Sequence, residues 1–412
     1  MKLKLIVNGY ESQDDYKLLR TTLSTVASLR KTAVLRFTSE RLVIISTPRS
    51  SGSSNSTVLY GDTGQIWCTI PRDLFKLYTV TSARELNTIT MEYNCDSLVT
   101  VFKRYDRAMS QGCSSDMTIK LQSMPEWNAG GGLASNSSSS RVNPVCALGI
   151  TFEEILHAPA CSGADYESGS MGDSAKVGYM SDKTVLHSFR IPVRLLFKAQ
   201  DARIQEPMIN YSNLMMCKLP PHSGEFGAGF SNFIKRVERY TSIRHIKLSG
   251  SRKEGGSTSQ DPQLKIVVNQ LDWHLELCWN GPLDAIVQQE IPNEVQETPQ
   301  RVPDDDSMAV EDSEGNKTND GVDVELVDVS AMVERAERES SLVNEVFMRC
   351  KDWKVCHKLY GAFEEVVLAI SHDESCVLHC SLDRGSRGDD GTSGEPKERG
   401  QIIYYIARSK PL

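Results

Sequence analysis

Short runs of alternating or continuous apolar residues dominate this chain, with very few helix-length segments between them, and that ratio constrains its fold most. MKLKLIVNG opens as a β-branched strand, and a helix is expected from about Asp14 to Arg30 with Asp14 or Asp15 as its cap. Tyr16, Leu19, Leu23 and Val26 fall on one face of that helix. TAVLRFTS, RLVIIST and GQIWCTI then read as strands, PRDLFKLYTV as a short helix or an irregular turn, and NTITMEYN as a further strand. Asn94 is placed to cap a second helix from about Cys95 to Ala108, and DMTIKLQSM, CALGITFEEI and VLHSFRIPVRLLF follow as strands.

The same plan recurs after the polar connector FKAQDARIQEPMINY. LMMCKLPP is a strand and SGEFGAGFSNFIKRVERYTS a helix; IRHIKLSG, LKIVVNQL and WHLELCWN are strands. EVFMRC leads into the helix KDWKVCHKLYGAF, and EVVLAISHD, SCVLHCSLD and QIIYYIARS close the chain as strands. Each half therefore runs β-α-βββ-α-βββ. Strands joined by short loops favour antiparallel sheets, and crossover helices do not alternate with them, which excludes a doubly wound nucleotide fold. The expected class is α+β, with two similar domains over 1–196 and 213–412 and a connector over 197–212.

Three polar inserts interrupt the strands, at about 128–142, 158–183 and 288–322. The first two are Gly/Ser-rich and cannot bury enough apolar surface to order themselves. The third belongs to an acidic tract: residues 290–340 hold sixteen acidic and four basic residues, a local net of −12 that leaves +4 elsewhere out of a total of −8. It has three readings: a solvating loop, a mimic of nucleic acid, or a docking segment in which Ser307 and Ser313 could be phosphorylated. DVELVDVSAMVERAERES beside it carries helix-forming residues and could fold against the second half. No apolar run approaches the ~18 residues of a membrane span, and the N-terminus lacks a signal-peptide pattern, so an intracellular protein is expected. The eleven cysteines stand singly; Cys68, Cys217, Cys278 and Cys376 in apolar runs read as buried free thiols of a reducing compartment.

VFKRYDR at 101–107 is echoed by FIKRVER at 233–239. At ~100° per residue, Leu98, Val101, Phe102 and Tyr105 face inward while Lys103, Arg104 and Arg107 face outward. Phe230, Phe233, Ile234 and Val237 stand likewise opposite Lys235, Arg236 and Arg239. The first helix places Lys17, Arg20 and Lys31 opposite its core stripe, and the fourth exposes Lys351, Lys354 and Lys358 while burying Val355, Cys356, Leu359 and Phe363. Solvated faces usually mix signs, because Glu and Lys pair well at i,i+4. Four faces out of four with few acids fit instead a surface that meets a phosphate backbone by charge alone. Aromatic residues of these helices lie on the buried side, so base stacking is not expected.

MKLKLIVNG, DDYKLLRTT, LRFTSERLVIISTP, GDTGQIWCTIP, ARELNTITMEYN, INYSNLMMCKLPP, LDWHLELCWNGPLD, CKDWKVCHKLY and GQIIYYIARSK carry a resemblance over nearly the whole chain outside the inserts. The chain resembles the PCNA-like sliding clamps, in particular the Mec/Hus-type subunit of the fungal DNA-damage checkpoint clamp. The resemblance implies sheets outside and two helices per domain on the inner face. It implies a non-catalytic subunit that joins two other clamp subunits in a heterotrimeric ring around double-stranded DNA at damage sites in the nucleus. It also implies placement by a replication-factor-C-like loader using ATP, and recruitment of checkpoint kinase machinery and repair factors. The twelve basic residues above would then all face one duplex. Ring assembly would use edge strands, KTAVLRF or MTIKLQ at one end and a strand of the second half at the other. In homotrimeric clamps the connector borders a client-peptide pocket; the polar KAQDARIQEPM argues against that use here.

Other chemistry lacks a basis in the sequence. No GxxxxGK[ST] loop is present, and Gly224, Gly227 and Gly229 follow a Pro-Pro turn without the acidic partner of a dinucleotide site. Cys356–His357 and His379–Cys380 lack the paired spacing of a zinc site, and adjacent strand residues point apart, so a core cysteine beside an exposed histidine is expected. PDDDSMAVEDSEG is too polar a setting for a rigid metal site. No cofactor is expected. The alternative functions are a scaffold whose basic helices bind acidic proteins, and a nucleic-acid-processing enzyme.

Overall fold

The computed structural model describes residues 1–47, 64–110, 115–124, 145–156, 183–209, 214–240, 242–252, 262–286, 343–382 and 399–409. The three polar inserts, Ser307, Ser313 and DVELVDVSAMVERAERES lie outside them. The N-terminal half runs β1 (Lys2–Val7), α1 (Gln13–Leu29), β2 (Thr32–Phe37), β3 (Arg41–Ser46), β4 (Gln65–Pro71), β5 (Leu77–Thr81), β6 (Ile89–Asn94), α2 (Cys95–Ser110), β7 (Met117–Ser123), β8 (Val145–Leu156) and β9 (Lys183–Leu195). The C-terminal half runs β10 (Leu214–Lys218), α3 (Gly227–Arg236), β11 (His245–Arg252), β12 (Pro262–Asn269), β13 (His274–Cys278), β14 (Asp284–Ala285), β15 (Val343–Arg349), α4 (Cys350–Tyr360), β16 (Glu365–Ser371), β17 (Ser375–Leu382) and β18 (Gly400–Ala407).

Every pairing is antiparallel, and the two halves repeat one wiring. In the first, β4-β3-β2-β6 and β9-β8-β7-β1-β5 form two ladders joined where β6 meets the end of β9. In the second, β13-β12-β11-β15 and β18-β17-β16-β10-β14 are their counterparts, but β18 pairs with β4 of the first half, and its link to β15 is the Ser409 amide just past its end, which donates to the Phe347 carbonyl at 2.8 Å. Thr69↔Gln401 through Gln65↔Tyr405 make that seam, so one fourteen-stranded sheet runs through both halves.

The helices cover one face of this sheet because each carries an apolar stripe that only the sheet can bury. Tyr16, Leu19, Leu23 and Val26 of α1, Leu98, Val101, Phe102 and Tyr105 of α2, Phe230, Phe233 and Ile234 of α3, and Val355, Cys356 and Leu359 of α4 share one core. The seam adds a polar fastening beneath α4. Asp352, fully buried, accepts hydrogen bonds from the Gly64 amide at 3.1 Å and the Tyr404 hydroxyl at 3.0 Å. The Gly64 carbonyl accepts from Arg30 Nη2 at 2.8 Å. A Cβ on Gly64 would stand 2.2 Å from the Tyr404 ring, so only glycine admits this approach.

On the opposite face Val43, Ile45, Trp67, Leu214, Val377, Ile403 and Tyr405 form a second apolar cluster across the seam, covered by Ile204 and Ile209. The connector begins with a single helical turn, Lys198–Asp201. Arg36 of β2 holds it by donating to Asp201 Oδ1 at 2.8 Å and to the Ile204 carbonyl at 2.9 Å, and Tyr405 donates to Glu206 Oε1 at 2.6 Å. The connector is thus polar in composition but apolar where it touches the sheet. Pro207, Met208 and Ile209 border a cleft of about 630 Å³ against Gln65, Glu374 and Tyr405.

Several expectations need correction. PRDLFKLYTV is a 3₁₀ turn, Arg72–Leu74, followed by β5, which pairs with β1. KTAVLRF and MTIKLQ are not edges: β2 lies between β3 and β6, and β7 between β1 and β8. The helix expected from Ser223 starts at Gly227, because the Pro-Pro segment continues as a turn closed by Gly224 N to Pro221 O. Ser12, not an aspartate, sits at the α1 N-cap, while Asn8 Oδ1 takes the Tyr10 and Glu11 amides. Asn94 does cap α2, accepting from the Ser97 amide at 3.1 Å. Cys278 is exposed on β13, and the other described cysteines are buried or partly buried.

Replacing Asp352 with Ala leaves the Tyr404 hydroxyl and the Gly64 amide without this acceptor in a dry site. The expected cost is about 1–3 kcal/mol. Urea unfolding of Asp352→Ala should show it as a lowered midpoint, while Tyr10→Ala, at an exposed side chain, leaves the midpoint in place.

Candidate nucleic-acid interface

The helices form a continuous row. α2 packs on α1, α1 meets α4 across the seam, and α4 packs on α3. Lys358 Nζ, donating to the Ser28 carbonyl of α1 at 3.4 Å, crosses the boundary directly. Because the sheet takes the apolar stripes, the polar stripes all look away from it. Lys17, Arg20, Lys31, Lys103, Arg104, Arg107, Lys235, Arg236, Arg239, Lys351, Lys354 and Lys358 are all exposed.

Their settings differ. Arg20 is tied across to α2, its Nε 2.5 Å from Asp106 Oδ2. Asp106 also accepts from the Tyr16 hydroxyl at 2.6 Å, and burial, followed by that bond, pushes the Tyr16 pKa far up, so it stays a donor. Arg104 lies 3.8 Å from Glu154 of β8, a buried carboxylate that also holds His187 Nε2 at 2.6 Å. Asp106 lies within the VFKRYDR stretch itself. Glu154 does not: it reaches α2 from a strand about fifty positions on. Lys31 sits past the helix, which ends at Leu29 with Arg30 in extended backbone as its C-cap. Arg239 stands on the 3₁₀ turn Val237–Arg239 that continues α3. Among the described residues, Lys17, Lys31, Lys103, Arg107, Lys235, Arg236, Arg239, Lys354 and Lys358 have no carboxylate within ion-pair distance. The two basic stripes of the echo therefore differ: all three cations of the second stay unpaired, but the first keeps only Lys103 and Arg107.

The row contains one titratable group that its pattern did not flag. His357 of α4 lies 3.3 Å from Ser231 Oγ of α3, and burial, followed by the nearby Lys235 charge, lowers its pKa. A serine hydroxyl beside a neutral histidine is not a nucleophilic site here, since Ser231 is buried under the helix pair. The thiols offer none either: burial pushes Cys95 up to about 11 and Cys217 up to about 12. His379, expected to be exposed beside a core cysteine, is instead half-buried, while Cys380 is buried as expected. Among the described residues no three His, Cys, Asp or Glu side chains gather as metal ligands would, and no helix is long and apolar enough to cross a membrane.

The family model described as "Hus1-like protein" matches residues 1–410. The DNA damage checkpoint control protein MEC3 of Saccharomyces cerevisiae is 56% identical over 474 residues, and the protein of that name from Eremothecium gossypii is 47% identical over 427 residues. In both comparisons all of each chain is covered. Among solved structures, the PCNA2–PCNA3 complex from Sulfolobus tokodaii aligns with a TM-score of 0.45 at 13% identity, covering 99% of each chain. PCNA from Thermococcus kodakaraensis aligns with a TM-score of 0.46 at 10% identity, covering 99% of this chain and 100% of the other.

Three histidines make the fold sensitive to mild acid. Burial lowers the pKa of His245, His357 and His379. Each therefore stays neutral in the fold at pH values where the unfolded chain, with its ordinary histidine pKa of about 6.5, already takes up a proton. The stability this confers is present above that value and is lost as pH falls. The melting temperature should drop between pH 7.5 and pH 5.5, and His357→Gln with His379→Gln should shrink the drop. An unchanged difference in the double variant would contradict these settings.

Proposed function

This chain belongs to the Hus1-like family, and on that premise we propose that it is a non-catalytic subunit of a nuclear DNA-damage checkpoint clamp. Residues 1–196 and 213–412 are its two clamp domains and 197–212 the connector. With two other clamp subunits it closes a heterotrimeric ring around double-stranded DNA, placed by a replication-factor-C-like loader, and there recruits checkpoint kinase machinery and repair factors.

The observation that carries the DNA-facing part is the row of four helices, which carries ten of the twelve exposed cations, with Arg239 on the turn that continues α3 and Lys31 just past the end of α1. Nine of these cations, Lys31 and Lys358 included, lack a carboxylate partner among the described residues. Such a row meets phosphates without reading bases. It holds a duplex through counterion release, with little penalty for moving along it. Lys103, Arg107, Lys17, Lys235, Arg236, Arg239 and Lys354 are the contacts. Arg20 and Arg104 mainly fasten helices to their neighbours.

The repeated wiring supports a specific pair of ring contacts. Within the chain, the β18 edge of one five-stranded ladder meets the β4 edge of the other half's four-stranded ladder. Their counterparts are β9 and β13. Residues 183–190 of β9 pair only with β8, and β13 pairs only with β12, among the described residues. Repeating the internal seam between subunits brings a neighbour's strand to each of these two edges, which reduces the aggregation hazard of bare edges and leaves β5, β14 and β15 as the remaining sheet ends among the described residues.

Two measurements test this reading. In a ring reconstituted with its partner subunits, Lys103→Glu, Arg107→Glu and Lys235→Glu together should cut retention on circular duplex DNA at least tenfold. The slope of log affinity against log salt should become shallower by roughly 2–3, at ~0.9 per phosphate contact. Unaltered retention would overturn the assignment. Separately, amide exchange at 183–190 and 274–278 should slow when the partner subunits are added, and equal rates with and without them would rule out those edges.

A further inference from the structure

The second half carries a cleft on the sheet face opposite the helices. Ile246 and Leu248 of β11 point into the core, so His245 and Lys247 point outward, with Val267 of β12 and Phe347 of β15 beside them in register. Ser242 and Arg244 form one wall, and Asn269, Gln270 and Leu271 of the β12–β13 turn form the other, enclosing about 660 Å³. A duplex against the helix row cannot reach this face.

Two features of the cleft lack a complement within the described residues. The first is charge. Lys247 is paired with Glu345, but Arg244 and His245 have no ion-pair partner there. The Arg244 carbonyl accepts from the Cys350 amide at 2.9 Å, which fixes the base of its side chain at the wall. His245 has its pKa lowered by burial and then by Arg349 and Arg244, so it stays neutral beside these cations. The second is apolar surface. Val267 and Phe347 are half-buried on the floor, and Leu271 is fully exposed at the lip.

We infer that this cleft is the docking site for residues 322–329 of the same chain, Val-Asp-Val-Glu-Leu-Val-Asp-Val. Within eight residues this stretch brings three carboxylates, Asp323, Glu325 and Asp328, and five apolar side chains. The carboxylates answer Arg244, and the apolar side chains cover Val267, Phe347 and Leu271. The more acidic stretch 303–315 lacks this density of apolar residues. The helix row, for its part, has Phe226 and Tyr240 exposed singly beyond the two ends of the α3 segment and no apolar floor between its described cations, so charge alone would have to hold residues 322–329 there. The tether is long enough: thirteen residues lie between Val329 and Val343, and the fourteen steps reach up to roughly 46 Å at ~3.3 Å each. Val343 begins β15, whose Phe347 lines the cleft. Attachment this close gives a high effective concentration, so a weak intrinsic contact suffices.

The test uses the full chain with the photo-cross-linking residue benzoylphenylalanine in place of Leu271. The expected product is an intramolecular cross-link to a peptide containing 322–329. Arg244→Glu should reduce its yield at least fivefold without moving the melting temperature. Adding Asp323→Arg, Glu325→Arg and Asp328→Arg to that variant should restore it. No cross-link, a cross-link to 303–315 or between two copies, or a yield indifferent to Arg244→Glu would overturn the proposal. The measurement needs neither DNA nor partner subunits, so its failure leaves the clamp assignment standing.

Discussion

The antiparallel pairing of β18 with β4 is the contact on which the molecule depends. Five residue pairs cross it, with apolar side chains on both faces and the Asp352–Gly64–Tyr404 fastening beneath α4. Without it the halves would be two small units on a connector, free to rotate against each other. With it, α1 and α4 come into contact and the four helices become one row. An electrostatic surface spanning both halves exists only because a hydrogen-bonded seam fixes their relation. The seam lies in low dielectric, where its polar groups cannot exchange partners with water, so it resists opening more than a surface contact would.

The distribution of counterions across the row follows from the same packing. Where a carboxylate can reach a basic helix face from a neighbouring element, it does: Asp106 takes Arg20, and Glu154 takes Arg104. Both pairs are local to the α1–α2 side. Among the described residues no such carboxylate arrives at α3, where Lys235, Arg236 and Arg239 crowd like charges within about one helical turn. A folded protein retains unbalanced charge of this kind at a cost in stability, which a polyanion relieves on binding. The cleft on the opposite face shows the same imbalance on a smaller scale, with exposed apolar surface added. The chemistry of the two sites therefore selects different ligands.

Much of this was legible in the sequence. The four helices fall within a few residues of their expected positions, because their apolar stripes have the 3.6-residue period that only a helix satisfies. Tyr16, Leu19, Leu23, Val26, Val101, Phe102, Phe230, Ile234, Val355, Cys356 and Leu359 are all buried as their spacing requires. The outward cations followed as the other half of the same pattern. What failed was short or non-local. β5 is five residues long with β1 as its strand partner, and β14 is two residues. Local propensity cannot see such partners. Cys278 looked buried because its strand is apolar, but β13 is an edge strand and Cys278 lies on its solvent face.

The amino-acid order by itself determined the type and place of nearly every long element, the twofold repetition of the plan and the sign of the helix faces, since each depends on neighbours within one or two turns. Only the tertiary structure decided which strands are edges, which cations are neutralised and where the halves join. Those outcomes rest on pairings between residues as far apart as Gly64 and Asp352. No local pattern encodes them, because the free energy that selects them arises only once distant surfaces have excluded water from between them.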